Sequence, residues 1–145
     1  MGWQPTFVAL EGSGGERYVR MLQQRGIPTY VGDATQVEEL IAIGRFDLAL
    51  LTFWQVAEAF LPVIRRVSPS TSIIVESIDL HFMRFARQVL RRESPAAPPM
   101  LLTEEYGREV VREINSYAAA DAVLAVSTKE RDLINDLTSD PDLAH

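Results

Sequence analysis

The chain has 145 residues, 47% hydrophobic and 23% charged, with a net charge of −6 at pH 7 and no cysteine. That length suits a single domain, residues 1–145, able to bury a proper core. The acidic balance argues against a nucleic-acid partner, and the missing cysteines exclude disulfides and thiolate metal sites. With only two histidines, His81 and His145, no metal site is expected. The first residues lack a basic segment followed by a long apolar one, so no signal peptide is read. No apolar run approaches the roughly 18–20 residues that cross a bilayer. The expected location is the cytoplasm, free or peripheral to the inner membrane.

Apolar runs alternate with helical patterns along the chain, as in a parallel α/β sheet. Residues 6–10 are a continuous apolar run, suited to a buried strand. Gly12, Ser13, Gly14 and Gly15 make a loop, and a helix follows to about Gln24, with Gly26 placed as a C-terminal cap. Residues 27–31 form the second strand. Asp33 and Gln36 have capping-box spacing, and Val37, Leu40 and Ile41 give the next helix an apolar face that Gly44 ends. Residues 46–51 are the third strand. The helix after it holds apolar residues from Phe53 to Ile64 at i, i+3, i+4 spacing, and Pro62 either kinks it or opens a new helix.

A fourth strand lies within residues 72–77, followed by a helix over residues 80–92 with Phe82, Phe85, Ala86, Val89 and Leu90 on its apolar face. Residues 94–101 are Pro-rich and read as a flexible loop. Thr103 caps a helix with Glu104 and Glu105 in its first turn, and Tyr106, Val110, Val111, Ile114 and Tyr117 face inward. Residues 122–126 are the fifth strand. Ser127 and Glu130 open the last helix, and residues 139–145 read as a frayed tail. The sum is a doubly wound, mostly parallel, five-stranded Rossmann-like sheet with helices on both faces. In such sheets ligands bind beyond the carboxyl ends of the strands.

Four places meet that rule, and a basic face is a further candidate. Gly14, Gly15 and Arg17 follow the first strand, where glycines admit a ligand to the backbone and a helix start offers N–H groups to an anion. Arg17 stands where a dinucleotide fingerprint needs its third glycine, and no Gly-Lys-Ser/Thr follows, so a tight turn explains the segment as well. Asp79, His81 and Arg84 follow the fourth strand. A neutral imidazole early in the helix both donates and accepts a hydrogen bond, which suits a sugar hydroxyl. Alternatively Asp79 merely caps the helix and His81 packs. Arg84, Arg87, Arg91 and Arg92 form a basic face, open to solvent or to an anionic membrane surface. Ser127 with Glu130 is either a polar ligand site or a plain cap. Phe53 and Trp54 are either a sugar-stacking platform or core.

The run from Val56-Ala57-Glu58 through Leu61-Pro62-Val63-Ile64, then Asp79-Leu80-His81-Phe82-Met83-Arg84, resembles the retaining GT-B-fold glycosyltransferases of family 4, or group 1. So does Glu113-Ile114 with Ala119-Ala120-Asp121-Ala122-Val123 and Ser127 through Glu130. The resemblance spans about residues 12–137. It implies the N-terminal, acceptor-side half of an enzyme moving a sugar from a nucleotide-sugar donor to a saccharide or lipid-linked acceptor, in cell-surface polysaccharide assembly. His81 then maps to the cleft-facing catalytic histidine, and Gly14, Gly15, Arg17, Asp79, Arg84 and Ser127 to substrate binding. No cofactor is implied. The nucleotide-sugar would be held mainly by a second domain, so this half by itself is expected to be inactive. A receiver-like pseudo-signalling or protein-interaction domain is the competing reading: residues 46–51 resemble a receiver's third strand, but Thr52 stands where the phospho-accepting aspartate belongs.

Overall fold

A computed structural model of the chain describes residues 2–91 and 103–145. The fold is α/β with parallel strands, in two compact units, Met1–Arg45 and Phe46–His145. In the first unit β1 (Phe7–Leu10) pairs in parallel with β2 (Thr29–Gly32), Phe7 opposite Thr29 and Leu10 opposite Gly32. A 3₁₀ turn over Gly15–Tyr18 and the short helix α1 (Val19–Gln24) connect them. Gly26, at φ +75°, takes the left-handed position just past α1. Helix α2 (Ala34–Gly44) then opens on the expected capping box. The Asp33 carboxylate accepts the Gln36 N–H at 2.9 Å, and the Gln36 side chain accepts the Asp33 N–H at 3.0 Å. Val37 and Ile41 are its buried residues, and the left-handed residue at its end is Arg45, not Gly44.

The second unit holds β3 (Leu48–Thr52), β4 (Ser72–Glu76) and β5 (Ala122–Leu124), parallel and in that order. Leu50 lies opposite Ile74, and Ile74 opposite Ala122. Helix α3 (Trp54–Val67) crosses from β3 to β4. Its buried Ala57, Phe60, Leu61 and Ile64 share one helical face. That face meets the sheet side carrying Ile73 and Val75, which are fully buried. The further helices among the described residues are α4 (His81–Arg91), α5 (Glu104–Ala118) and α6 (Thr128–Thr138). Asp121 ties the start of β5 to its neighbours. Its carboxylate accepts the Ile73 N–H at 2.7 Å and pairs with Arg65 at 2.6 Å.

Several sequence expectations change. The five strands form a two-stranded and a three-stranded sheet, not one five-stranded doubly wound sheet. Alternating strands and helices dictate parallel crossovers between successive strands. They do not encode lateral order, and strands of three to five residues carry little pairing information. Leu50 shows the difference: it is 51% exposed, where a strand covered on both faces would bury it. Pro62 does not start a new helix. It lies inside α3 and is exposed, so the hydrogen bond it forfeits falls on the solvent side. Phe85 and Val111 are exposed rather than inward. Residues 94–101 and Arg92 lie outside the described residues.

The C-terminal residues, expected to fray, are instead held in place. Ala144 bridges Val123 in parallel, and backbone bonds of 2.8–2.9 Å join Leu143 and His145 to β5. The Asn135 side chain bonds both the N–H and the C=O of Ala144, and Leu143 and Ala144 are buried.

Candidate functional site

Two of the second unit's positive-φ residues other than glycine lie just past the carboxyl ends of β3 and β4, the other being Ser139 at the end of α6. Phe53, the residue between β3 and α3, sits at φ 73°, ψ 142°, and Ile78, between β4 and α4, at φ 59°. Positive φ is uncommon outside glycine and an outlier for a β-branched side chain, costing about 1–3 kcal/mol where the surroundings enforce it. Such residues concentrate at binding and catalytic sites. The Phe53 ring centroid lies 5.8 Å from the imidazole of His81, the first residue of α4, and Ile78 precedes His81 by three positions.

His81 is engaged at both ring nitrogens. The indole N–H of Trp54 donates to Nδ1 at 3.2 Å, and the amide of Gln55 lies 3.0 Å from the same atom. Indole can only donate, so Nδ1 accepts and the ring proton belongs on Nε2. Nε2 lies 3.3 Å from Asp79 Oδ1. Both atoms are buried, and neither makes a well-directed hydrogen bond among the described residues. The other Asp79 oxygen pairs with Arg84 at 3.2 Å. Asp79 therefore does not cap α4, as the simpler sequence reading has it; it joins His81 to Arg84.

The cap of α4 comes from elsewhere. Glu113, fully buried on α5, accepts the backbone N–H of His81 at 2.8 Å and of Phe82 at 3.0 Å. The Tyr117 hydroxyl donates to the same carboxylate at 2.9 Å. Burial pushes the Glu113 carboxyl above the usual range, and the three hydrogen bonds pull the other way without cancelling it. Burial, then the nearby Glu113 charge, pushes the Tyr106 and Tyr117 hydroxyls upward. Glu130 of α6 also reaches this corner, bonding the Leu80 N–H; burial first, and the charge of Asp79 second, raise its carboxyl, against the pull of Arg87.

A cavity of about 650 Å³ opens beside these groups, lined by Gln55, His81, Arg84 and Glu105 with an apolar side of Phe85 and Tyr106. The Phe85 and Tyr106 rings lie 5.5 Å apart, and the Tyr106 hydroxyl donates to the Phe82 carbonyl at 3.1 Å. Trp54 is 3% exposed and forms wall and core rather than a stacking platform. Arg112 stacks over its ring at 5.3 Å while bonding Glu58 through two nitrogens at 2.6–2.7 Å, which locks α3 to α5 behind His81.

The structure thus brings together Asp79, His81 and Arg84. Ser127 caps α6, its Oγ accepting the Glu130 N–H at 3.3 Å. The reciprocal half of a capping box is absent from the cap of α6, because the Glu130 carboxylate turns to Leu80. Gly14, Gly15 and Arg17 belong to the Met1–Arg45 unit. There Gly14 holds φ 81°, Gly15 and Arg17 enter the 3₁₀ turn, and Arg17 stacks on Tyr18 at 4.7 Å. Sequence reasoning missed Glu113 and Gln55 as site residues. The signal for Glu113 is an acid inside the inward stripe of α5, three residues after Val110 and four before Tyr117. Gln55 leaves no such mark.

Among the described residues, no group of three His, Cys, Asp or Glu side chains is arranged to hold a metal ion, and no helix is long and apolar enough to cross a membrane. No protein-family model, curated protein or solved structure matches the chain.

Proposed function

We propose that the chain is the acceptor-side half of a glycosyltransferase and that the cavity beside His81 receives a saccharide or lipid-linked acceptor. The observation that carries this reading is the convergence of Asp79, His81 and Arg84 at the carboxyl ends of two parallel strands, next to a strained Phe53 and Ile78. An acceptor hydroxyl would donate to Nδ1 of His81, the proposed catalytic residue, on the side where the Gln55 amide now lies. Phe85 and Tyr106 offer an apolar wall for a sugar face. Contacts to a nucleotide-sugar donor would be supplied by a second domain, and no cofactor takes part. Gly14, Gly15, Arg17 and Ser127 keep their proposed place in substrate binding through the resemblance alone.

Of the basic face proposed for an anionic membrane surface, Arg84 is paired with Asp79 and Arg87 acts on Glu130. An anionic membrane surface as partner, and a cytoplasmic or peripheral location, complete the reading. The test is a titration of the ¹⁵N-labelled chain with neutral mono- and disaccharides, followed by backbone and side-chain amide shifts. Millimolar binding is expected to move Gln55, His81 and Phe85, and His81→Ala is expected to weaken it about tenfold, the loss of one buried hydrogen bond. Shifts confined to residues outside the cavity would refute the acceptor site.

A further inference from the structure

The hydrogen bonds around His81 specify which kind of group the cavity takes. Trp54 is buried and its indole N–H can only donate, so it holds the imidazole lone pair at Nδ1 and the proton at Nε2. Nε2 is buried against Asp79. Nδ1 is the nitrogen next to Gln55, an exposed side chain that also lines the cavity. The Nδ1 lone pair is shared between these two donors. Of the two, Trp54 is fixed in the core and Gln55 is free to swing away. The charged lining adds a second restriction. Glu105, Glu109 and Glu113 line the cavity with Arg84; Arg84 is paired with Asp79, Glu109 with Arg112, and Glu113 holds the backbone N–H groups of His81 and Phe82.

We infer that His81 Nδ1 is the ligand-facing acceptor of this site, that Gln55 is a placeholder for a ligand hydroxyl, and that the cavity selects an uncharged polyol over a phosphate- or carboxylate-bearing one. A ligand O–H replaces the Gln55 N–H at Nδ1 and leaves the Trp54 bond in place. A phosphate or carboxylate group has only lone pairs to offer there, against another lone pair, and among the described lining residues it meets no cation but Arg84, already paired with Asp79. Trp54 is a positioning residue, acting on the ligand through His81. The occupant rests on the saccharide reading; the direction of the His81 hydrogen bonds does not.

Two measurements test this on the full chain. The first is the ring ¹⁵N spectrum of His81 without ligand, with His145→Asn used to assign the two histidines. The Nε2–H tautomer is expected. Trp54→Phe is expected to let the Nδ1–H form appear, while Gln55→Ala leaves the tautomer unchanged. A dominant Nδ1–H form in the unaltered chain, or a Gln55→Ala variant that switches it, overturns the inference even if Trp54→Phe does not fold. The second is a titration with methyl α-glucopyranoside, glucosamine and glucose 6-phosphate, read at the Gln55 side-chain amide and the His81 ring.

The neutral sugar is expected to bind at least about tenfold more tightly than the phosphate ester, as like charge opposes entry. Glucosamine tighter than the neutral sugar by a similar factor would replace the polyol by a cationic occupant. Tighter binding of glucose 6-phosphate would overturn the selection outright. If no probe moves either signal, the polyol occupant and the saccharide reading fall together. A wrong tautomer fells this inference alone.

Discussion

Helices α2 and α4 each begin just after a parallel strand, yet they solve the same problem in opposite ways. A helix start leaves backbone N–H groups without partners. Helix α2 satisfies them from its own sequence, through Asp33 and Gln36 three residues apart. Helix α4 takes its partner from Glu113, 32 residues away from His81 along the chain and buried in α5. The local solution uses up its acid. The remote solution frees Asp79, the residue best placed to cap, to pair with His81 and Arg84 instead. A site is made where the local rule is broken and a distant residue compensates.

The contrast predicts unequal costs. Glu113→Ala strands two backbone N–H groups and the Tyr117 hydroxyl in the interior, and is expected to lose about 2–4 kcal/mol in urea unfolding. A loss below about 1 kcal/mol would mean that the remote cap carries little. Asp33→Ala removes one surface cap and is expected to cost about 1 kcal/mol, with faster hydrogen exchange at Gln36 and Val37 and no change at His81.

The smallest effect is the pH slope. Because the Glu113 carboxyl is raised in the folded state, the folded chain binds the extra proton. Its contribution to stability is fully present below the unfolded value of about 4.3 and is lost as pH rises through the folded value. Asp121 works against this. Arg65, with the Ile73 N–H adding to it, holds its carboxyl down despite partial burial, so its contribution is present above about 3.9 and is lost as pH falls through the lowered value. Glu113→Gln is therefore expected to flatten the decline in stability above pH 4.3, and to leave the acid-side loss intact. An unchanged slope above that pH would show that Glu113 titrates as an ordinary glutamate.

What the sequence disclosed follows the same division. The Asp33–Gln36 box, the Thr103 cap, the turn at Gly26 and the buried face of α3 depend on residues within a few positions of one another. All are as their spacing dictates. The position of the Asp79, His81 and Arg84 cluster was legible too, since it follows a strand of a parallel sheet. The role of Asp79 was not, because a cap is its local preference and Glu113 removes the need for it from a distant helix. Nor was the sheet order, which rests on pairings between segments far apart in sequence. The ordering of residues 143–145 against β5 depends on Asn135, whose amide reaches across the turn for reasons no periodicity contains.

The bond from Trp54 to His81 also turns the site into an optical probe. The chain holds two tryptophans, and the other, Trp3, is 82% exposed. Iodide or acrylamide in solution will extinguish the emission of Trp3 and spare the buried indole. The light that survives comes from a chromophore hydrogen-bonded to an imidazole that lines the cavity. Its intensity and colour follow any change in that ring, so occupancy can be watched in unlabelled protein, in a cuvette, without knowing the ligand in advance.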